Sequence, residues 1–205
     1  MTGNLHEDRG RHSGFELTFF RIARAAEVRA RESSWGARDI WMAHFAVTDT
    51  AAKRFYAFER FARGAQGLAG ANAEPFRVWT EAWSVSGEAS ATATQLALEA
   101  REGGVELALT LTAEKPPVTH GEGAVDPKGP EPGNASYYYS LPRLAARGEV
   151  SIDGRRAGVA GLAWMDREWS TSGLSPGLSG WDWFALHLSD GRDLILHIIE
   201  AVASQ

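Results

Sequence analysis

Apolar and polar residues alternate along most of the chain, and this pattern limits the fold more than any other feature of the sequence. Val105, Leu107, Leu109 and Leu111 point one way, and the residues between them point the other. Period two indicates a strand that is buried on one face. The same alternation predicts strands at Phe15–Phe19, Asp39–Thr48, Arg54–Ala62, Phe76–Val85 and Thr94–Ala100. In total, about ten or eleven strands predict an all-β barrel or sandwich.

Glycine-containing pairs predict the turns between these strands. Asp153-Gly154 and Asp190-Gly191 are pairs that two-residue type I′ hairpin turns prefer. Gly103-Gly104 predicts a third hairpin turn. Ala23–Glu32 is the main helix candidate, but its apolar stripe is thin, so an excursion from the preceding strand is favoured.

Two segments are predicted to be loops. Arg63–Glu74 is rich in glycine and alanine, and residues 115–135 carry too many prolines and glycines for the interior of a strand or helix. A loop as long as 115–135 in a compact domain is either a lid or mobile flap, or an insertion without fixed structure.

Composition excludes several classes of function. The net charge is −5, and the 21 Lys and Arg residues form no basic stripe, so we expect no nucleic-acid partner. The absence of cysteine excludes disulfides, thiolate zinc sites and cysteine nucleophiles. No apolar run reaches the length of a transmembrane helix.

Motifs for metals and nucleophiles are weak. The six histidines are scattered without an H-x-x-x-H or H-E-x-x-H spacing, so neither a metal nor a cofactor is expected. A tight Asp190-Gly191 turn would place His187 roughly opposite His197, most simply as half-exposed strand residues. Gly173–Gly177 matches the G-x-S-x-G nucleophile elbow, but Pro176 lacks the N–H that the oxyanion hole needs.

The strongest candidate site lies in Gly161–Ile198, which contains four tryptophans among acidic residues. In a strand, Trp164, Asp166 and Glu168 share one face. Two neighbouring carboxylates oppose each other's ionisation, so one can stay protonated and act as a general acid. The alternative is structural, with both carboxylates holding buried arginines such as Arg21, Arg60 or Arg63.

Three consecutive tyrosines form a second candidate. Tyr138 points opposite to Tyr137 and Tyr139 if the segment is extended. Its hydroxyl then either orients a substrate inside a pocket or packs at the rim of the sheet.

Six segments, in this order along the chain, carry a family resemblance: TGNL (Thr2–Leu5), GFELTFFR (Gly14–Arg21), DIWMAHFAVTD (Asp39–Asp49), FERFARGAQGLAG (Phe58–Gly70), GLAWMDREWS (Gly161–Ser170) and GWDWFALHLSDGRDL (Gly180–Leu194). Together they resemble the AttH/CrtC group, which includes the carotenoid 1,2-hydratases (hydroxyneurosporene synthases). The resemblance implies a lipocalin-like antiparallel β-barrel, with two barrels in tandem in complete members.

The resemblance also implies how the chain is organised. The family carries an acidic-aromatic strand before T-G-x-L and a second barrel after the position of Leu196. We therefore expect residues 1–205 to form a single barrel domain, the first of two, incomplete at both ends. The family implies export as a periplasmic, lipoprotein or secreted protein, although MTGNLHEDRGRH lacks a signal-peptide core. Many members are known only as hydrolases or hydratases.

The implied activity is addition of water to a protonated double bond of an acyclic carotenoid. The expected partner is a hydrophobic small molecule, isoprenoid or polyene. Asp166 is expected to supply the proton, with Glu168 adjusting the acidity of Asp166, while His44 or Tyr138 positions the water. The expected ligand-binding residues are His44, Trp79, Trp83, Tyr138, Trp164 and Trp183. The alternative is a non-catalytic ligand-binding or structural envelope module.

Overall fold

A computed structural model describes residues 1–8, 10–23, 33–89, 94–129, 131–171, 175 and 177–201. These residues contain fifteen strands and no helix: β1 (Thr2–Glu7), β2 (His12–Ala23), β3 (Asp39–Asp49), β4 (Arg54–Arg63), β5 (Ala69–Asn72), β6 (Phe76–Thr80), β7 (Trp83–Ala89), β8 (Thr94–Glu102), β9 (Val105–Ala113), β10 (Val118–Thr119), β11 (Val125–Pro127), β12 (Ala135–Ile152), β13 (Arg155–Ser170), β14 (Leu178–His187) and β15 (Asp193–Ala201). Beyond Ala23, the helix candidate lies outside the described residues.

Thirteen strands form one sheet in the order β4-β3-β2-β1-β13-β12-β9-β8-β7-β6-β5, with β10 and β11 also paired to β12. The strands β14 and β15 form a separate antiparallel hairpin. The large sheet is nearly closed into a barrel, which confirms the predicted all-β, lipocalin-like fold.

The chain divides into two compact units. The first comprises Met1–Ala113 and Ala145–Ala163, and the second Glu114–Leu144 and Trp164–Gln205. The strands β12 and β13 supply residues to both units. The prediction of a single domain over residues 1–205 stays a prediction.

The first unit contains the barrel core. Inward-facing residues such as Phe45, Leu98 and Leu107 are at most 1% exposed, as the alternating pattern predicts. A second buried cluster of Trp41, Ala62 and Ala69 brings β3 and β4 against β5, so the two ends of the strand order meet. Burial of this apolar surface is the main term that stabilises such a sheet.

Several predicted boundaries are wrong. The segment Phe76–Val85 is not one strand, because a turn at Glu81-Ala82 pairs Thr80 with Trp83 across a hairpin. Glu81 adopts a φ of 54°, which the sequence does not signal with a glycine. The predicted loops also contain strands: β5 lies within Arg63–Glu74, and β10 and β11 lie within 115–135. These differences account for most of the excess over the predicted strand number.

Two of the three predicted turns are confirmed, and the third is longer than predicted. Asp153-Gly154 has φ values of 50° and 82°, and Gly103-Gly104 has 52° and 81°, as two-residue I′ turns require. The Asp190-Gly191 turn is longer than predicted. His187 and Asp193 form the last register pair, so a loop of Leu188–Arg192 joins β14 to β15.

Candidate functional site

The centre of the candidate site is the carboxylate of Asp166, in the second unit. Its Oδ1 atom accepts three hydrogen bonds, from the Tyr138 hydroxyl at 3.0 Å, the Ser140 hydroxyl at 2.5 Å and the Trp164 indole N–H at 2.9 Å. Within the described part of the chain, no hydrogen bond ends on Asp166 Oδ2. One oxygen of the Asp166 carboxylate is therefore held by three donors.

Alternation along two neighbouring strands builds this arrangement. On β12, Ser136, Tyr138 and Ser140 are all at most 3% exposed, whereas Tyr137 between them is 52% exposed. Tyr138 therefore points opposite to Tyr137, as predicted. On β13, the bond from Trp164 to Asp166 confirms that these two residues share a face.

Tyr138 can act only as a donor toward Asp166. The Trp183 indole, which has no acceptor, donates to the Tyr138 hydroxyl oxygen at 3.3 Å. The hydroxyl hydrogen is thus directed at Asp166 Oδ1. Burial, together with the charge of Asp166, raises the pKa of Tyr138 well above its usual value. Tyr138 accordingly stays a neutral phenol at physiological pH.

Two serines of this unit, Ser140 and Ser175, are not placed as nucleophiles. Ser140 is fully buried and lies between His120 Nε2, at 2.7 Å, and Asp166. In a catalytic triad the histidine, not the serine, occupies the middle position. The Ser175 hydroxyl donates to Glu131 Oε2 at 2.7 Å. The contact of Ser175 supports the rejection of the nucleophile elbow, whose residues 173, 174 and 176 lie outside the described residues.

Glu168 is neutralised by a lysine. Its Oε1 accepts from the Ser136 hydroxyl at 2.7 Å and lies 2.8 Å from Lys128 Nζ, which also contacts Asp126 Oδ2 at 2.7 Å. Burial lowers the pKa of Lys128, but its hydrogen bonds to Asp126 and Glu168 outweigh this effect, and the pKa is raised. Lys128 therefore stays charged and holds Glu168.

The structural alternative, in which arginines pair with Asp166 and Glu168, is wrong for two of the three arginines named. Arg21 pairs with Asp39 at 2.8 Å, and Arg60 pairs with Glu102 at 2.5 Å. Neither arginine contacts Asp166 or Glu168, whose partners are neutral donors and Lys128.

Aromatic rings lie beside the Asp166 network. Trp164 is 3% exposed, and its ring meets the half-buried Trp183 edge to face at a centroid distance of 6.4 Å. The His197 ring stacks on Tyr138 at 5.7 Å. Burial, and then the charge of Lys128, lower the pKa of His197 below its usual value. His197 is therefore a neutral imidazole at neutral pH.

His187 and His197 are not opposite each other, contrary to the prediction. In the β14–β15 register, His187 pairs with Asp193 and His197 pairs with Trp183. The length of the turn does not explain this difference, because even a two-residue Asp190-Gly191 turn would place Leu194, not His197, opposite His187. His187 Nε2 instead lies 2.8 Å from the carbonyl oxygen of Pro142.

Three expected ligand-binding residues belong to the first unit, whereas the Asp166 network belongs to the second. His44 Nε2 contacts Glu59 Oε2 at 3.2 Å on the outer face of β3. Trp83 is fully buried. The indole N–H of each tryptophan donates to a backbone carbonyl, Gly67 for Trp79 and Arg101 for Trp83. The structure thus groups Tyr138, Trp164 and Trp183 with the acids but not His44, Trp79 or Trp83.

Sequence reasoning missed Ser136, Ser140, His120 and Lys128. The two serines could have been found, because they share the period-two face of Tyr138. His120 and Lys128 could not, because they lie in the segment 115–135, where proline and glycine hide the strand pattern.

Two features are absent from the described residues. No group of three or more His, Cys, Asp or Glu side chains in that part of the chain is placed to hold a metal ion. None of its helices could span a membrane.

Fold and site together define a lipocalin-like barrel protein with a carboxylate held among tryptophans and a tyrosine. The sequence matches the AttH-like family over residues 1–203. The chain belongs to this family, which confirms the resemblance seen in the six segments.

Two solved structures are similar to this chain. An AttH protein from Nitrosomonas europaea has a TM-score of 0.84 and 32% identity, over 98% of this chain and 59% of that one. Kievitone hydratase from Nectria haematococca has a TM-score of 0.66 and 11% identity, over 97% of this chain and 60% of that one. The second likeness shows the fold alone. No match was found among curated proteins.

Proposed function

We propose that the protein binds an apolar, unsaturated ligand and adds water to one of its double bonds, with Asp166 as the acid. The observation that carries this proposal is the convergence of Tyr138, Ser140 and Trp164 on Asp166 Oδ1. When Oδ2 gives up a proton, negative charge develops on a carboxylate whose other oxygen already faces three donors. Hydrogen bonds that strengthen as charge develops lower a reaction barrier.

The reaction begins with proton transfer. In the protonated form of Asp166, the proton on Oδ2 moves to one carbon of the double bond, the π electrons form the new C–H bond, and the other carbon becomes a cation. The carboxylate left behind is the charged form that adds to burial in raising the pKa of Tyr138. A water oxygen then forms a C–O bond to that cation. The extra proton of the water returns to the Asp166 carboxylate, so the acid is regenerated and the net change is addition of one water.

Aromatic rings support the ligand class. Tryptophan faces attract cations, and Trp164 and Trp183 lie beside the acid. The cation beside the site, Lys128, is already paired with Glu168 and Asp126. An uncharged ligand leaves these pairs intact. The family resemblance points to an isoprenoid or polyene, and the name of kievitone hydratase states that this structural neighbour adds water to its substrate.

A second candidate is a non-catalytic binding module. It is favoured by the burial of Tyr138 and Ser140, because a buried hydrogen-bond network can serve only to fix the packing of β12 on β13. This candidate predicts that an apolar ligand binds and leaves unchanged.

The experiment is turnover in ¹⁸O-labelled water with neurosporene, an acyclic carotenoid, and kievitone as substrates. Asp166→Asn is compared with Asp182→Asn, which removes the same charge from an exposed residue of β14. We expect the wild type and Asp182→Asn to form a product with one labelled oxygen, and Asp166→Asn to be slower by about 10²–10⁴-fold. Equal rates for both variants would refute the acid assignment. Quenching of tryptophan fluorescence without product would support the binding module.

A further inference from the structure

A pair of histidines lies on the outer face of the β1–β2 hairpin. The register places His6 directly opposite His12, and their ring centroids are 5.0 Å apart with a tilt of 44°. His12 Nε2 lies 2.9 Å from Asn4 Oδ1, and Asn4 shares the face of His6. The residue opposite Asn4 is Gly14, which adds no side chain to this face.

The distance between the two rings suits a shared metal ion. Imidazole nitrogen binds divalent metals such as zinc at about 2.0–2.1 Å, which puts the ion about 3 Å from each ring centre. Two such rings at a tetrahedral angle have centroids about 5 Å apart. The observed 5.0 Å therefore requires little movement of either side chain.

These two histidines differ from the others. The remaining four contact other groups: His44 a carboxylate, His120 a hydroxyl, His187 a backbone carbonyl and His197 a tyrosine. The polar partner of His12 is instead the Asn4 amide oxygen, which is itself a possible metal ligand. Among the described residues, neither His6 nor His12 contacts a carboxylate or a backbone carbonyl. His6 is exposed and His12 half-buried, so an ion can approach from solvent.

We propose that His6 and His12 bind a divalent transition-metal ion, with the Asn4 amide oxygen as a third ligand and water completing the shell. The order of affinity expected for nitrogen and oxygen ligands is copper(II) above zinc. The sequence gives no sign of this site, because six positions separate the histidines and only the hairpin register pairs them. The site lies in the first unit and is independent of the proposed hydration.

The test titrates the metal-free protein with zinc chloride by calorimetry and records the histidine ring signals by NMR. We expect one ion per chain, shifts in the His6 and His12 signals, and an affinity at least about tenfold weaker in His6→Ala and in His12→Ala. His44→Ala is the matched control and should bind like the wild type.

Two further measurements complete the test. With copper(II) chloride, electron paramagnetic resonance should show nitrogen coupling that each single variant reduces. Circular dichroism of both variants should match the wild type, since the side chains lie outside the core. Absence of binding in the wild type, or unchanged binding in either variant, would overturn the proposal.

Discussion

Replacing Asp193 by asparagine removes the carboxylate that lies between two cations of the second unit. Asp193 Oδ1 is 2.7 Å from Arg143 Nη2, and Oδ2 is 2.5 Å from Lys115 Nζ. The Asp193 side chain is only 5% exposed and that of Arg143 only 14%. These contacts fasten β15 to β12 and to the segment before β10. In the variant, both cations lose their counter-charge.

The expected loss of stability follows from burial. Leaving one charge of a buried pair without its partner costs about 3–5 kcal/mol. Asparagine keeps the oxygen that Arg143 contacts, so the lower end applies. Lys115 is 35% exposed, and water screens its pair so that it adds at most about 1 kcal/mol. We predict a loss of about 3 kcal/mol for Asp193→Asn.

The assay is hydrogen exchange of the β15 amides, with urea unfolding followed by tryptophan fluorescence. Asp190→Asn is the control, because Asp190 lies nearby and forms its ion pair with the exposed Arg192, so the substitution should leave the stability nearly unchanged. Equal behaviour of the two variants would refute the reasoning.

The same pair predicts a pH dependence. Burial raises the pKa of Asp193, but Arg143 and Lys115 outweigh it and hold the pKa below the ordinary 3.8. The stabilisation is therefore complete above pH 3.8 and is lost as the pH falls through the lower folded pKa. The difference in the free energy of unfolding between the wild type and Asp193→Asn should shrink in that acid range. A difference that stays constant there would contradict the ion-pair explanation.

Two other substitutions test the fold and the site. Gly161→Ala should lower the free energy of unfolding by about 3 kcal/mol or more, because its Cβ would lie 1.9 Å from the Asn4 carbonyl oxygen. Gly158→Ala is the control: its Cβ meets nothing within 4 Å, so the substitution should be neutral or slightly stabilising. Urea midpoints that are equal for these two variants would contradict the close approach of β1 to β13. Tyr138→Phe removes a donor to Asp166 and should cost about 1–2 kcal/mol and slow turnover; an unchanged midpoint and rate would contradict its role.

Alternation made the strands and their faces predictable from sequence. It placed Trp164 and Asp166 on one face of a strand and pointed Tyr138 opposite to Tyr137, because a strand's side-chain period is fixed by its backbone. Features that depend on tertiary pairing were not predictable. The turn at Glu81-Ala82 carries no glycine or proline, and Lys128 reaches Glu168 only because β11 pairs with β12. The register that sets cross-strand partners emerges only in the folded sheet.

Hydration in deuterium oxide tests the central claim most directly, because the proton on Asp166 exchanges with solvent before it is transferred to carbon. With neurosporene or kievitone, the wild type should place one non-exchangeable deuterium on the carbon adjacent to the one that bears the new hydroxyl group. Asp166→Asn should bind the same compound, as judged by tryptophan quenching, and form this product at a strongly reduced rate. Formation of the deuterated product at the wild-type rate by Asp166→Asn would contradict the assignment of Asp166 as the acid.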